Sequence, residues 1–293
     1  FKQLVKSKLS FFNFKIFKMR DFVDNIAKLL LRIRGDLKLL ELKMPNCKIY
    51  LPDGSIWTLI REIYLLELYS DFRMLRGVVI DAGAHVGAFS IPTSFYAKKV
   101  ISIEPNPFIV KILELNKMIN SRENVEIYPF ALYHSASSVK FHDIHVSHSG
   151  YISENGEGVE VKTIKLDDII ENYDEIELLK MDIEGSEYNV IFNTKIENLK
   201  KIKRIVGELH YKDERKRDEF KSYLEKLGFK FFEYNKNQLY NPLNIIKAIK
   251  NSKYIKNQTF YKIMNYIYLL TPLPKPLTPS EQKTPIFVAY NNY

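Results

Sequence analysis

The run Val78-Val79-Ile80-Asp81-Ala82-Gly83-Ala84-His85-Val86-Gly87 constrains the fold of this chain more than any other segment. A bare apolar run ends on an acid, and two glycines then lead into an amphipathic stretch. A buried parallel strand that passes through a tight turn into a helix N-terminus is written this way, and that turn is where α/β proteins hold nucleotides. Val100-Ile101-Ser102-Ile103-Glu104 repeats the strand-then-acid pattern, with Glu104 lying 23 residues after Asp81. An acid about 20 residues past such glycines is placed to accept hydrogen bonds from both hydroxyls of a ribose. The two features together point to an adenosine-containing cofactor.

The glycine spacing selects among such cofactors. A dinucleotide fold wants G-x-G-x-x-G, so that backbone amides can approach a pyrophosphate at the helix N-terminus. Here the pattern is Asp81-x-Gly83-x-x-x-Gly87, with alanine at 82 and 84, and no Lys-Ser/Thr pair follows as a phosphate-cradling loop requires. The spacing suits a ligand without phosphates whose amino-acid tail lies against Gly83, Ala84, His85 and Gly87. S-adenosylmethionine fits, with its ribose on Glu104. The plainer alternative, glycines placed for packing alone, leaves the second acid unexplained.

A chain of 293 residues can bury one substantial α/β core with extensions. The single cysteine, Cys47, excludes a disulfide framework and a cysteine-based zinc site, and fits a reducing, cytoplasmic compartment. No apolar run approaches the roughly 18 residues of a membrane-spanning helix. The chain opens on Phe1-Lys2 without a methionine, and it shows neither the apolar region nor the cleavage site of a secretory signal. Charge is unevenly spread. Residues 1–76 carry 15 Lys and Arg against 8 Asp and Glu, residues 235–293 carry 8 Lys against Glu281 alone, and residues 77–234 are net acidic. Basic flanks could steer the protein to nucleic acid, an acidic glycan or a membrane surface. The lysines are scattered, however, and no arginine-aromatic cluster of a nucleic-acid platform stands out, so a solvated lysine-rich surface is the simpler reading.

Periodicity divides the chain. Phe22, Ile26, Leu29, Leu30 and Ile33 recur at helical spacing within a segment running to about residue 43, an amphipathic helix for a core or a partner chain. Lys48 to Trp57 reads as a hairpin turning at Pro52-Asp53-Gly54, and Leu59 to Leu75 as a helix. Strands are then predicted at 78–81, 100–104, 125–130, 178–182, 202–210, 229–233 and 285–290. Helices are predicted at about 86–97, 107–120 and 212–227, with a short one from Asp167 or Asp168. Asn106-Pro107 is a cap-then-first-turn signature, and Gly228 a stop. Val139–His142 and Val159–Ile164 read as an antiparallel excursion. Strands alternating with helices give a doubly wound α/β sheet. The domain expectation is an N-terminal extension (1–76), a core (77–234 and 285–293) and a basic, proline-ended insertion (235–284).

A second signal is Lys180-Met181-Asp182-Ile183-Glu184-Gly185-Ser186-Glu187. Three acids crowd the end of a strand expected beside the first one, where carboxylates point into the ligand crevice; the alternative is that Asp182 and Glu187 cap the following helix. At this point the chain resembles the FkbM-type family of S-adenosylmethionine-dependent methyltransferases. The resemblance rests on Asp81 to Gly87, Glu104-Pro105-Asn106-Pro107, Asn116, Asn120, Thr163-x-x-Leu166-Asp167-Asp168, Lys180 to Glu187 and Glu208, in order over residues 60–210. It implies a class I methyltransferase fold, a Rossmann-like sheet whose last strand is antiparallel, and O-methylation of sugars, polyketides or other small hydroxylated molecules. It also places Phe130 and Ala131 against one side of an adenine and Pro105 and Asn106 against the other. His85 departs from the family's usual asparagine, and residues 1–50 and 235–284 match nothing in it.

Methyl transfer from a sulfonium to a hydroxyl needs alignment of the acceptor and removal of its proton. Asp182, Glu184, Glu187, Glu208 and His210 are the available bases. Asp182 is expected nearest the reacting methyl and, like Asp81, in contact with the cofactor; Glu208 and His210 alternate toward the acceptor pocket, and Glu184 and Glu187 lie beside the acceptor. The same carboxylates could instead hold Mg²⁺, a lesser reading. His142-x-x-His145-x-x-His148 has a zinc-like look, but surface histidines explain it more simply. The acceptor expected is a small molecule or glycan rather than nucleic acid. The Asn/Asp-Pro-Pro-Tyr/Phe motif of amino-group methylation of bases is absent.

Overall fold

The computed structural model describes residues 15–16, 39–43, 46–52, 63, 69–142, 150–153, 158–210, 213–234 and 285–291. The expected helix around 22–33, most of that at 59–75, His145, His148 and the segment 235–284 lie outside them. In chain order, β1 (Lys15–Ile16), β2 (Leu39–Lys43) and β3 (Lys48–Pro52) form a small antiparallel sheet. A 3₁₀ turn at Phe72–Met74 precedes β4 (Val78–Ala82), α1 (Ser90–Thr93), β5 (Lys99–Ile103), α2 (Pro107–Ile119) and β6 (Val125–Tyr128). The excursion follows as β7 (Ala131–Leu132), β8 (Ser138–His142), β9 (Tyr151–Ile152) and β10 (Val159–Ile164). The chain then forms α3 (Leu166–Ile170), β11 (Leu178–Met181), α4 (Glu187–Phe192), α5 (Ile196–Leu199), β12 (Arg204–Glu208), α6 (Glu214–Lys226), β13 (Phe229–Tyr234) and β14 (Ile286–Asn291).

The main sheet has seven strands in the order β13-β14-β12-β11-β4-β5-β6. Pairings from β12 to β6 are parallel, and β14 runs antiparallel between β12 and β13. This is the mixed, doubly wound sheet with a reversed last strand that the sequence led us to expect. Successive residues of its strands serve opposite layers. Val79, Val100, Val125, Leu178 and Val206 join one core cluster, and Ile80, Ile101, Leu179 and Ile205 the other. The first cluster takes in Ile109, Ile112 and Leu115 of α2, and also Ile49 and Leu51 of β3.

The tie between β3 and α2 is polar as well as apolar. Asn116 accepts from the Tyr50 N–H at 2.7 Å and donates to the carbonyls of Tyr50 and Val86, both at 2.8 Å. Asn120 accepts from the Lys48 N–H at 2.8 Å and donates to the Lys48 carbonyl at 2.6 Å. Four residues advance about 6 Å along a helix, nearly the advance of two residues along a strand, so two carboxamides one turn apart match alternate strand residues.

Several local expectations are corrected. β3 pairs with a strand that precedes it, Leu39 with Pro52 and Lys43 with Lys48, so Leu39–Lys43 is strand rather than the end of a helix; the hairpin turn expected beyond Pro52 falls on residues 53–57, outside the described residues. The helix expected at 86–97 contracts to Ser90–Thr93, because Gly87 sits at φ +82° and Pro92 supplies no N–H to a longer ladder. The short helix begins at Leu166, with the Asp168 carboxylate accepting from the Lys165 N–H at 3.2 Å. The strand expected over 202–210 is regular only at Arg204–Glu208. The cap at Asn106 is as expected, its side chain accepting from the N–H groups of Phe108 and Ile109.

Candidate active site

The parallel strands β4, β5, β11 and β12 end side by side, and the chain lays β5 and β6 on one side of β4 before placing β11 and β12 on the other. Such a switch point opens a crevice at the strands' carboxyl ends. The glycine turn forms one wall. Gly83 sits at φ +76°, and a Cβ built there would lie 1.8 Å from the Asp182 carbonyl oxygen, so the turn presses directly on the end of β11. The N–H groups of Gly83 and Ala84 both donate to the Ile103 carbonyl at 3.0 Å, fastening the turn to β5. A Cβ at Gly87, φ +82°, would meet Leu113 of α2 at 2.4 Å.

Glu104, at the end of β5, is held through both carboxylate oxygens. The His85 N–H donates to one and the Asn106 N–H to the other, each at 2.9 Å. Burial pushes its carboxyl up to about 7, against the lowering effect of those amides and of Lys180. His85 takes φ +50°, which lets the turn close over this carboxylate.

Asp81 has a different station from a ligand contact in the open crevice. It is fully buried, 2.9 Å from the Lys180 ammonium, and its other oxygen accepts from the Ser90 hydroxyl at 2.6 Å, which in turn accepts from Ser102. Lys180 also donates to the Gly83 carbonyl at 3.0 Å. Burial works against its charge, but Asp81, Asp182 and Glu208 outweigh it and hold the lysine above its ordinary pKa. The pair braces the turn from below. A lysine inside the apolar run Leu178-Leu179-Lys180-Met181 is the sequence signal for such a buried partner, since an unpaired ammonium there is prohibitively costly. Tyr69, which the sequence placed only within the helix expected at 59–75, reaches the same place: its hydroxyl donates to Asp182 at 2.9 Å and its ring centroid lies 4.9 Å from the Lys180 nitrogen.

Among the described residues, the opposite wall is acidic around the imidazole of His210. His210 lies 3.0 Å from Glu187, 3.3 Å from Glu184 and 3.8 Å from Glu208. Burial lowers its affinity for a proton, yet the hydrogen bond to Glu187 and the charges of Glu187, Glu184 and Asp182 prevail and push it up to about 10. At neutral pH it is an imidazolium. Glu187, at the start of α4, also accepts from the N–H groups of Ile183 and Gly185, so the capping and crevice readings of this acid both hold. Donor atoms of Asp182, Glu208 and His210 lie within 4.8 Å of one another, close enough for a divalent cation.

The remaining expected residues are more peripheral. The Asn106 side chain is committed to capping α2. Ala131 is buried and paired with Thr163, leaving the half-buried Phe130 and Pro105 to flank the end of β5. His142 packs its ring 5.2 Å from Tyr151 in the excursion. No helix among the described residues is long and apolar enough to cross a membrane.

A family model described as the methyltransferase FkbM domain matches residues 81–231, just over half of the chain. A curated relative, an uncharacterized RNA methyltransferase from Thermotoga maritima, is 49% identical over 49 residues, which are 17% of this chain and 11% of the relative, so the chain spans about a tenth of it. Among solved structures, an rRNA methylase from Streptococcus thermophilus is 13% identical with a TM-score of 0.40, covering 78% of this chain and 91% of its own. M. jannaschii TYW2 in complex with AdoMet is 16% identical with a TM-score of 0.41, covering 87% and 86%.

Proposed function

The chain belongs to the FkbM family of methyltransferases, and from S-adenosylmethionine-dependent methyl transfer as the premise we propose that its acceptor is a hydroxyl of a sugar, glycan or other small polyhydroxylated molecule. The observation that carries this reading is the acidic crevice. Asp182, Glu184, Glu187 and Glu208 converge there on the imidazole of His210. Carboxylates accept hydrogen bonds from hydroxyl groups and repel phosphates, so the wall suits a polyol and opposes a nucleic-acid backbone.

The residues present fit the cofactor. Glu104 would take its ribose, and the turn at Gly83 and Gly87, where side chains have no room, would take its amino-acid tail. When bound, S-adenosylmethionine supplies an electrophilic methyl group on a sulfonium. The protein's work is alignment and proton removal. We assign Asp182 as the base that takes the hydroxyl proton as the oxygen–methyl bond forms. Charged His210 has no lone pair to receive that proton, so it serves with Glu208 to anchor the acceptor, and Glu184 and Glu187 keep it charged. In this reading the imidazolium fills the place a divalent cation would take, and a chelator leaves activity unchanged.

Methylation of RNA is the second reading, favoured by the basic flanks and by the short match to an RNA methyltransferase. Methyl-labelled cofactor offered in parallel to carbohydrate extracts and to RNA separates the two. Label in the polyhydroxylated fraction supports the hydroxyl reading, and label confined to RNA overturns it.

A further inference from the structure

We infer that Tyr69, supplied by the N-terminal extension and lying outside the matched domain, is a positioning residue of the active site that sets the Asp182 carboxylate for ligand binding. Three contacts carry this. The Tyr69 hydroxyl donates to Asp182 Oδ2 at 2.9 Å. Its ring covers the Lys180 ammonium, which itself bonds Asp81 and the Gly83 carbonyl. Its edge packs on Phe89, just ahead of α1, with ring centroids 6.2 Å apart. Tyr69 is thus only 5% exposed and touches the acid at the end of β11 and the helix that follows the glycine turn at once.

Asp182 needs such a partner. The strand has ended at Met181, so the carboxylate projects from a loop, and the residues after it turn sharply through Glu184 at φ +51° and Gly185 at φ +102°. A hydrogen bond from a buried phenol restricts its rotamers. The extension is itself anchored to the cofactor side of the sheet, because Asn116 bonds Tyr50 of β3 and the Val86 carbonyl of the glycine turn together. Docking of the extension and assembly of the ligand site are therefore one event, and residues 81–231 alone lack a working part.

The inference rests on the proposed use of S-adenosylmethionine, and a double-mutant cycle read by calorimetric titration of that cofactor tests it without knowledge of the acceptor. Tyr69→Phe keeps the ring and removes the hydroxyl; it should weaken binding about five- to tenfold, the range of one charge-assisted hydrogen bond, with thermal melting unchanged. Asp182→Asn should weaken binding at least as much. Adding Tyr69→Phe to Asp182→Asn should then change nothing further, which a merely structural tyrosine would not produce. Additive losses, an unaffected Tyr69→Phe, or an Asp182→Asn that binds normally while Tyr69→Phe does not, each overturn the inference. So does a Tyr69→Phe protein that fails to fold, since loss of one orienting hydroxyl leaves the packing intact. Wild-type protein that binds no cofactor overturns the functional reading itself, and this inference falls with it.

Discussion

At the scale of single residues, the decisive property of the site is that two groups are held away from their ordinary protonation. Glu104 is raised to about 7 by burial, so the ligand-free protein binds a proton there more tightly than the unfolded chain does. That contribution to stability is present at low pH and is lost as pH rises toward 7. A ribose diol donating to the carboxylate favours the charged form, so S-adenosylmethionine should bind more weakly below pH 7, by up to about tenfold per unit. Calorimetry at pH 6.5 in two buffers of different ionisation enthalpy should show proton release on binding. Glu104→Gln should abolish the release and weaken binding at pH 8 by about ten- to a hundredfold, since an amide cannot accept from both the His85 and Asn106 N–H groups. His210 is also raised, to about 10, but as a base. Its stabilising charge is fully present below about 6.5 and disappears as pH climbs through 10. Melting temperature should therefore fall between pH 7 and 10 more steeply in the wild type than in His210→Gln. The acids of both groups were legible in the sequence. Their protonation was not, because it depends on neighbours such as Glu187 and Glu184 that only the folded crevice brings around the imidazole.

Among elements, the instructive unit is the ladder between α2 and β3. The sequence marks Asn116 and Asn120 by resemblance alone, and nothing local says what a buried asparagine on an apolar helix face is for. The answer lies in Tyr50 and Lys48, more than sixty residues earlier. Asn116→Ala strands the buried N–H and carbonyl of Tyr50 together with the Val86 carbonyl, and should cost about 2–4 kcal/mol in urea denaturation. Asn120→Ala, whose partners at Lys48 are solvent-exposed, should cost about 1 kcal/mol or less. Equal effects would mean that the two carboxamides do not differ as their burial says. Elements with strong local grammar were readable: the apolar strands, the Asn106-Pro107 start of α2 and the Gly228 stop all stand where periodicity and capping put them. The shortened α1 and the partner of β3 were not. A proline or a left-handed glycine limits a helix only in its actual geometry, and the pairing of β2 with β3 is a choice between segments that the periodicity within either one does not make.

For the whole molecule, the sheet closes through the last strand. β14 lies between β12 and β13, so every hydrogen bond on that side of the core waits for residues far along the chain. The strand and its reversed direction could be expected from the alternating pattern and the family likeness, whereas its meeting with β13 across residues 235–284 could not. The register shows how little geometry that meeting demands: Tyr234 is paired with Ile286, so the ends of the intervening segment are direct neighbours on antiparallel strands. Topologically the segment occupies the place of a hairpin loop. Closing a loop of roughly 50 residues costs only about 2 kcal/mol more than closing one of four, since the penalty grows logarithmically. Replacing residues 235–284 with a short Asn-Gly turn should therefore leave a folded protein whose melting temperature is equal or higher. Cofactor affinity should also persist, because Glu104, Asp182 and the glycine turn directly follow β5, β11 and β4, none of which pairs with β13 or β14. Methylation of the acceptor is then the informative readout. Loss of transfer with cofactor binding intact assigns the segment to the acceptor, and a fully active short form makes it peripheral to catalysis. A protein that no longer folds would show instead that the segment completes the core, against what the pairing of Tyr234 with Ile286 predicts.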